Sequence, residues 1–222
     1  VSARDIIVFD MDGVLVDVSD SYREAICQTV QHFTGQNISR ELVQQYKNRG
    51  GFNNDWLLSQ TIARDLGADL PFERVVDYFN QIFLGGLINR ERWIPSNGLL
   101  QTLSRNYQLA IFTGRDRKEA DITLQRFGAG VVFYPVITTD DVVHGKPHPE
   151  GLLKIAERCP GQALWFIGDT VDDARSARAA GVRFIGVAAT DSPRRDELLR
   201  LFEQEQAFAV VEDINRLPEV LP

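Results

Sequence analysis

Short apolar segments punctuate this chain: Ile6 to Phe9, Leu109 to Phe112, Val131 to Ile137, Ala163 to Ile167, Phe184 to Val187 and Phe208 to Val211. Runs so short and so continuously apolar suit strands covered on both faces, as in a parallel sheet. Helical patterns separate them. Ala120, Leu124 and Phe127 form one stripe closed by Gly128, and Pro149 opens another that carries Leu152, Leu153 and Ala156. After Asp169, Ala174, Ala177 and Ala180 make a small-residue helix ended by Gly181, suited to close packing on a sheet. Strand alternating with helix predicts an α/β fold built on a doubly wound, Rossmann-like parallel sheet.

Residues 18–88 break that rhythm with helical patterns and no good strand. Tyr22, Ile26, Val30 and Phe33 mark the first helix, with a Ser21 to Glu24 capping box at its start and Gly35 at its end. Leu42, Val43 and Tyr46 mark the second. Leu58, Ile62 and Leu66 mark the third, and Phe72, Val75, Val76, Phe79 and Phe83 the fourth. The expected organisation is a core made of residues 1–17 and 89–222, with a small helical domain, 18–88, inserted after the first strand. The chain crosses between them near Val14 to Ser19 and Gly85 to Trp93, which makes these segments the expected hinge.

Composition narrows the field. With 25% charged and 44% hydrophobic residues the chain is too balanced to be disordered. A net charge of −7 argues against a nucleic-acid partner, which needs a basic face. It leaves room for a small phosphorylated metabolite, because one local cation reverses the field inside a pocket. Cys27 and Cys159 stand far apart with no histidine at ligand spacing and read as free thiols. No apolar run approaches the ~20 residues that span a bilayer, and no signal-like segment precedes the first strand, so a cytoplasmic protein with no membrane partner is expected. The pattern assigns no oligomeric state.

The chemistry begins where the first apolar run ends, in Asp10-Met11-Asp12-Gly13. Residues i and i+2 of an extended segment point the same way, so two carboxylates share one face at a strand end. They repel unless a cation or a shared proton holds them, which makes a metal site or an acid/base pair. Ligands in open α/β sheets bind outside the carboxyl ends of the strands. Other strand ends supply Thr113-Gly114-Arg115 and Gly168-Asp169-Thr170-Val171-Asp172-Asp173, and Gly145-Lys146-Pro147-His148, before the helix opened by Pro149, supplies a lysine that two prolines stiffen. Several carboxylates on one rim need a hard divalent cation. Magnesium fits best, since no cluster of histidines or thiolates favours zinc.

Asp10-Met11-Asp12-Gly13-Val14, Thr113, Lys146 and Gly168-Asp169-x-x-x-Asp173 occur in the order of the four motifs of the haloacid dehalogenase superfamily, which the chain resembles. The insert directly after the first motif is similar to the C1 helical cap of the branch that includes phosphoglycolate phosphatase and β-phosphoglucomutase. The resemblance implies that Asp10 is a nucleophile forming an aspartyl-phosphate and Asp12 the acid/base. Thr113 and Gly114 would bind phosphate, and Lys146 would brace it against Asp10. Magnesium would be held by Asp10, the Asp12 backbone carbonyl and Asp169, with Asp173 acting directly or through water. The superfamily's dehalogenases lack an aspartate at the position of Asp12, so phosphoryl transfer is expected: a phosphatase first, a phosphomutase second, a non-catalytic phosphometabolite sensor third.

Further candidates carry competing readings. The break from Lys47 to Asn54 sits where a C1 cap sends a specificity loop into the site, so Arg49 or a neighbour is expected on the substrate; the alternative is a solvated turn. Arg115 either touches substrate or pairs with a carboxylate. His148, His32 and His144 read as structural or exposed, Trp93 and Pro95 as packing at the return to the core. Asp17 reads as a hinge or cap residue and Asp172 as a supporting carboxylate. The stretch from Asp17 to Gly35 resembles a branch linked with histidine biosynthesis, which places histidinol phosphate in any substrate panel.

Overall fold

The structure, a computed structural model, describes residues 4–222. In chain order the strands are β1 (Ile6–Phe9), β2 (Val16–Asp17), β3 (Arg92–Trp93), β4 (Gln108–Phe112), β5 (Val136–Ile137), β6 (Leu164–Gly168), β7 (Arg183–Val187) and β8 (Ala209–Val211). The helices are α1 (Tyr22–Thr34), α2 (Arg40–Arg49), α3 (Asp55–Asp65), α4 (Phe72–Leu84), α5 (Leu99–Asn106), α6 (Arg117–Phe127), α7 (Glu150–Arg158), α8 (Val171–Ala180) and α9 (Arg195–Gln204). Six strands form one parallel sheet in the order β5-β4-β1-β6-β7-β8. The doubly wound α/β fold expected from the alternation of apolar runs is therefore the fold observed.

β1 is buried along its whole length because both faces of the sheet are covered. Ile7 and Phe9 join the cluster that contains Leu99, Leu103, Ala120 and Ile214. Ile6 and Val8 point the other way, into Leu152, Ile155, Ala174, Leu198 and Phe202. This period-two division follows from pleating, and each fully buried Ile or Phe adds roughly 1.5–3 kcal/mol to the fold. The small residues of α8 act as their pattern suggested: Ala174 and Ala177 are fully buried.

Between β1 and β4 lie α1 to α4, which share a core of Ile26, Val30, Leu58, Ile62, Phe79 and Phe83 continuous with the first cluster. Both chain crossings meet in a short antiparallel pair, Val16 opposite Trp93 and Asp17 opposite Arg92. Trp93 stacks on Phe127 at 5.7 Å between ring centres, and Pro95 is buried nearby. Asp17 accepts from the Ser19 N–H and from Arg92, bracing this junction.

Two local expectations are corrected. The Ser21 to Glu24 capping box does not form: Ser21 makes no side-chain cap bond, and its hydroxyl is buried without a partner among the described residues. The helix is positioned by tertiary packing of Tyr22, Ala25 and Ile26. The apolar stretch 131–137 is strand only at Val136–Ile137. Val132 and Tyr134 are largely exposed, and Pro135 has no N–H for a ladder, so the earlier residues run as an irregular connection.

Candidate active site

β1 is the centre of the sheet, flanked by β4 and β6, so the residues after these strands are forced onto one rim. The Asp10 N–H still donates to Ile167 of β6 (2.8 Å), and the Thr113 N–H to Ile137 of β5 (3.0 Å). Strand pairing thus carries one step past the regular ladder and fixes the backbone under the site. Gly13 then turns the chain at φ +77°. A Cβ there would lie 2.0 Å from Asp169 Oδ2, so the first motif needs glycine to let the carboxylate after β6 approach.

Lys146 is the electrostatic centre. Its Nζ lies 2.9 Å from Asp10 Oδ1 and 2.7 Å from Asp173 Oδ1, with all three groups buried. Burial opposes the ammonium charge, but Asp10 and Asp173 outweigh it and raise the lysine's pKa. The Met11 N–H also donates to Asp10 Oδ1 (2.7 Å). Both contacts fall on Oδ1, which leaves Oδ2 without a protein partner among the described residues.

Asp10, Asp169 and Asp173 bring carboxylate oxygens within 4.8 Å of one another. One lysine does not neutralise three anions. Desolvation first, then Asp173, pushes Asp169 up to about 7. Asp10 is raised well above the ordinary carboxylate range by burial, against the opposing pull of Lys146 and with added repulsion from Asp173, Asp169 and Asp12. An all-oxygen, under-neutralised cluster is the donor set a hard divalent cation requires, so the residues fit magnesium chemistry. Asp173 is the least free of the three. Its Oδ2 accepts from the Thr170 N–H (3.0 Å) and hydroxyl (2.6 Å) in the capping box that opens α8, while Oδ1 faces Lys146.

Thr113 is buried at the end of β4, its hydroxyl accepting from the Arg115 N–H (3.2 Å). Gly114 lines the cleft with Asp10, Asp12, Tyr22, Arg23, Lys47, Asn53, Asp55, Asp169 and Thr170. The space among these residues is about 20 Å³, room for roughly one water. The insert closes it. Asn53 presses on Gly114 so closely that a Cβ there would lie 2.2 Å from Asn53 Nδ2, and the Gly51 N–H donates to both oxygens of Asp172 (2.9 and 2.8 Å). A larger cavity of about 440 Å³ adjoins on the far side of Asp169, lined by Arg23, Arg40, Asp17 and Asp191 among others.

Asp10, Asp12, Thr113, Gly114, Lys146, Asp169 and Asp173 thus converge as the sequence suggests. Arg49 does not join them. Its guanidinium lies over the Tyr46 ring (4.4 Å) on the exposed side of α2. The cleft cation is Lys47, in the last turn of α2, which runs through Arg49 where a break was expected; it pairs with Asp55 at 2.7 Å, and a second cation, Arg23, stands 4.0 Å from Asp169. Arg115 takes the carboxylate side of its two readings: it is buried and binds Asp12. Asp172 serves loop docking. His148 and His144 are exposed, their rings 4.8 Å apart and tilted at 50°, and His32 stacks on Tyr78. Cys27 and Cys159 are free, Cys159 buried and Cys27 partly so. Among the described residues no helix is long and apolar enough to cross a membrane.

The haloacid dehalogenase-like hydrolase model matches residues 4–181. The chain belongs to that hydrolase family. A haloacid dehalogenase-like protein of unknown function from Agrobacterium tumefaciens strain C58 has the same fold, with a TM-score of 0.76 at 24% identity over 98% of this chain and 97% of that one. The pyrophosphatase PpaX of Bacillus velezensis is 28% identical over 189 residues, 83% of each chain. The imidazoleglycerol-phosphate dehydratase of Phytophthora nicotianae is 34% identical over 194 residues, which are 82% of this chain but 42% of that protein. The chain therefore spans less than half of the dehydratase relative. Within the family match lie β1, β4 and β6 with all seven convergent residues.

Proposed function

We propose that this hydrolase is a magnesium-dependent phosphatase that cleaves a small phosphorylated metabolite through an aspartyl-phosphate on Asp10. The observation that carries the reading is the Lys146 ammonium set between Asp10 and Asp173 beneath a cleft closed by the insert. Asp10 Oδ2 attacks phosphorus and the ester oxygen leaves with a proton from Asp12. Water then attacks the acyl phosphate, gives its proton to Asp12, and inorganic phosphate departs with Asp10 restored. Thr113 and Lys146 hold the phosphoryl oxygens during both halves, where positioning and neutralisation supply most of the catalysis. Asp10, Asp169 and the Asp12 backbone carbonyl would hold the magnesium ion, with Asp173 acting from one remove through its bonds to Lys146 and Thr170. Bound there, the cation would neutralise charge on the phosphoryl oxygens.

The insert serves this reading as a cap. A cleft of about 20 Å³ admits no substrate, so the loop around Gly51 and Asn53 must lift to load the site and return to exclude water. The pyrophosphatase relative supports phosphoryl transfer. The dehydratase relative, named for a phosphorylated imidazole, supports adding imidazole-bearing esters such as histidinol phosphate to the sugar phosphates, phosphoglycolate and nucleotides of a first panel. Inorganic phosphate should be released with magnesium and not in its absence, and an isomeric ester in place of phosphate would mark a mutase instead. Asp10→Asn should abolish turnover while the circular dichroism spectrum stays native. Turnover near wild type in that variant would sink the nucleophile assignment.

A further inference from the structure

Arg115 is buried to 1% side-chain exposure directly beside the cleft. Its Nε and Nη2 both donate to Asp12 Oδ1, at 2.8 and 2.5 Å. Its Nη2 also lies 2.7 Å from Oε1 of Glu91, whose carboxylate is fully buried. Its Nη1 donates to the Thr123 hydroxyl (2.6 Å), and that hydroxyl donates to Glu91 Oε2 (2.7 Å). The guanidinium plane rests over the Tyr22 ring at 4.8 Å. Glu91 immediately precedes β3, where the chain returns from the insert, and Thr123 sits in α6.

We propose that Glu91 and Arg115 are positioning residues for Asp12: Glu91 and Thr123 lock the guanidinium, and the guanidinium locks one oxygen of Asp12 so that the other faces the ester oxygen. This rests on the phosphatase reading above. The two bonds to Asp12 converge on Oδ1 alone, and the Asp12 side chain keeps 31% of its surface exposed on the cleft side. A carboxylic acid can accept at one oxygen while it donates from the other, so this clamp fixes orientation without occupying the proton-bearing position. Glu91 supplies the charge that lets a guanidinium stay buried there. Without it the only carboxylate in direct ion pairing with the arginine, among the described residues, would be Asp12 itself.

The test separates proton delivery from general damage by changing the leaving group. An alkyl phosphate needs its departing alkoxide protonated; 4-nitrophenyl phosphate, with a stable phenolate, does not. In first-turnover measurements, which read formation of the aspartyl-phosphate apart from its hydrolysis, Arg115→Met should slow reaction of a simple alkyl phosphate by roughly 100-fold, the usual scale of a lost general acid, and of 4-nitrophenyl phosphate by less than about fivefold, while hydrolysis of the shared aspartyl-phosphate slows alike for both. Glu91→Gln, which keeps volume and should keep the fold, should show the same inequality at smaller size. Equal losses of first-turnover rate on both esters in folded Glu91→Gln and Arg115→Met would overturn the positioning role. A wild-type protein that releases phosphate from neither ester nor from any of the panel would overturn the phosphatase reading itself, and this inference with it.

Discussion

Lys146→Met tests how the buried charges are balanced. The change keeps side-chain length but removes the ammonium from between Asp10 and Asp173, leaving three close carboxylates with no lysine among them. Breaking a buried pair by removing one partner costs about 3–5 kcal/mol. With an m-value of about 2 kcal/mol per M, the urea midpoint of the metal-free protein at pH 8 should fall by roughly 2 M. A carboxyl whose folded pKa is raised stabilises the fold fully below its unfolded pKa, and that contribution is lost as pH rises through the folded pKa. For Asp169 the window runs from the ordinary 3.8 to about 7, and for Asp10 it opens at the same value and closes well above it. Loss of Lys146 pushes both folded values higher, so protons partly replace the missing cation at pH 5. The destabilisation should therefore shrink on going from pH 8 to pH 5. Urea titrations in EDTA, followed by the fluorescence of buried Trp165, measure it. A loss that is the same at both pH values, or below about 1 kcal/mol at pH 8, would refute the claim that these carboxylates rely on Lys146.

Gly13→Ala forces a Cβ to within 2.0 Å of Asp169 Oδ2 at φ +77°. It should cost about 1–2 kcal/mol of stability and remove the rise in melting temperature on adding magnesium; an undiminished magnesium shift would contradict it. Asp172→Ala takes away the carboxylate that holds the Gly51 N–H. A charge-assisted bond of about 1.5–3 kcal/mol is lost from the closed insert, so KM should rise roughly tenfold or more with a smaller effect on kcat, and an unchanged KM would detach loop docking from substrate retention.

The sheet was legible because a parallel strand buried on both faces leaves a nearly unbroken apolar run, as Ile6 to Phe9 does. Its helices were legible where a stripe and a terminator coincide, as in α6 and Gly128. The β2–β3 pair was not, since two residues per strand give no periodicity to read, and their pairing joins positions separated by the whole insert. The stretch 131–137 misled for the opposite reason. It has strand composition, but Pro135 removes a donor, and although Tyr134 and Pro135 bond to Leu109 and Ile111 of β4, the regular ladder runs only through Val136 and Ile137.

The site divides along a related line. Residues at strand ends could be placed from sequence because topology forces them onto one rim, whatever the side chains do. Lys146 could be placed as well, but the cations of the insert could not, because their direction depends on helix phase and on partners far along the chain. Helix phase was available in principle: Lys47 follows Val43 by one turn on the buried face of α2, whereas Arg49 lies off that face, so the phase favours lysine over arginine as the cleft residue. Arg115 stood at a strand end with substrate or a carboxylate as its two readings, but Glu91 offered no such trace. In sequence, Glu91 stands between Arg90 and Arg92 and reads as part of a solvated charge cluster. Only the fold carries it to Arg115 and carries Arg115 to Asp12, 103 residues earlier. A buried ion pair of this separation requires both partners in place before either can be desolvated. The charges hardest to find in the sequence are therefore the ones whose position depends most on the fold being complete, and in this chain they surround the proposed acid/base.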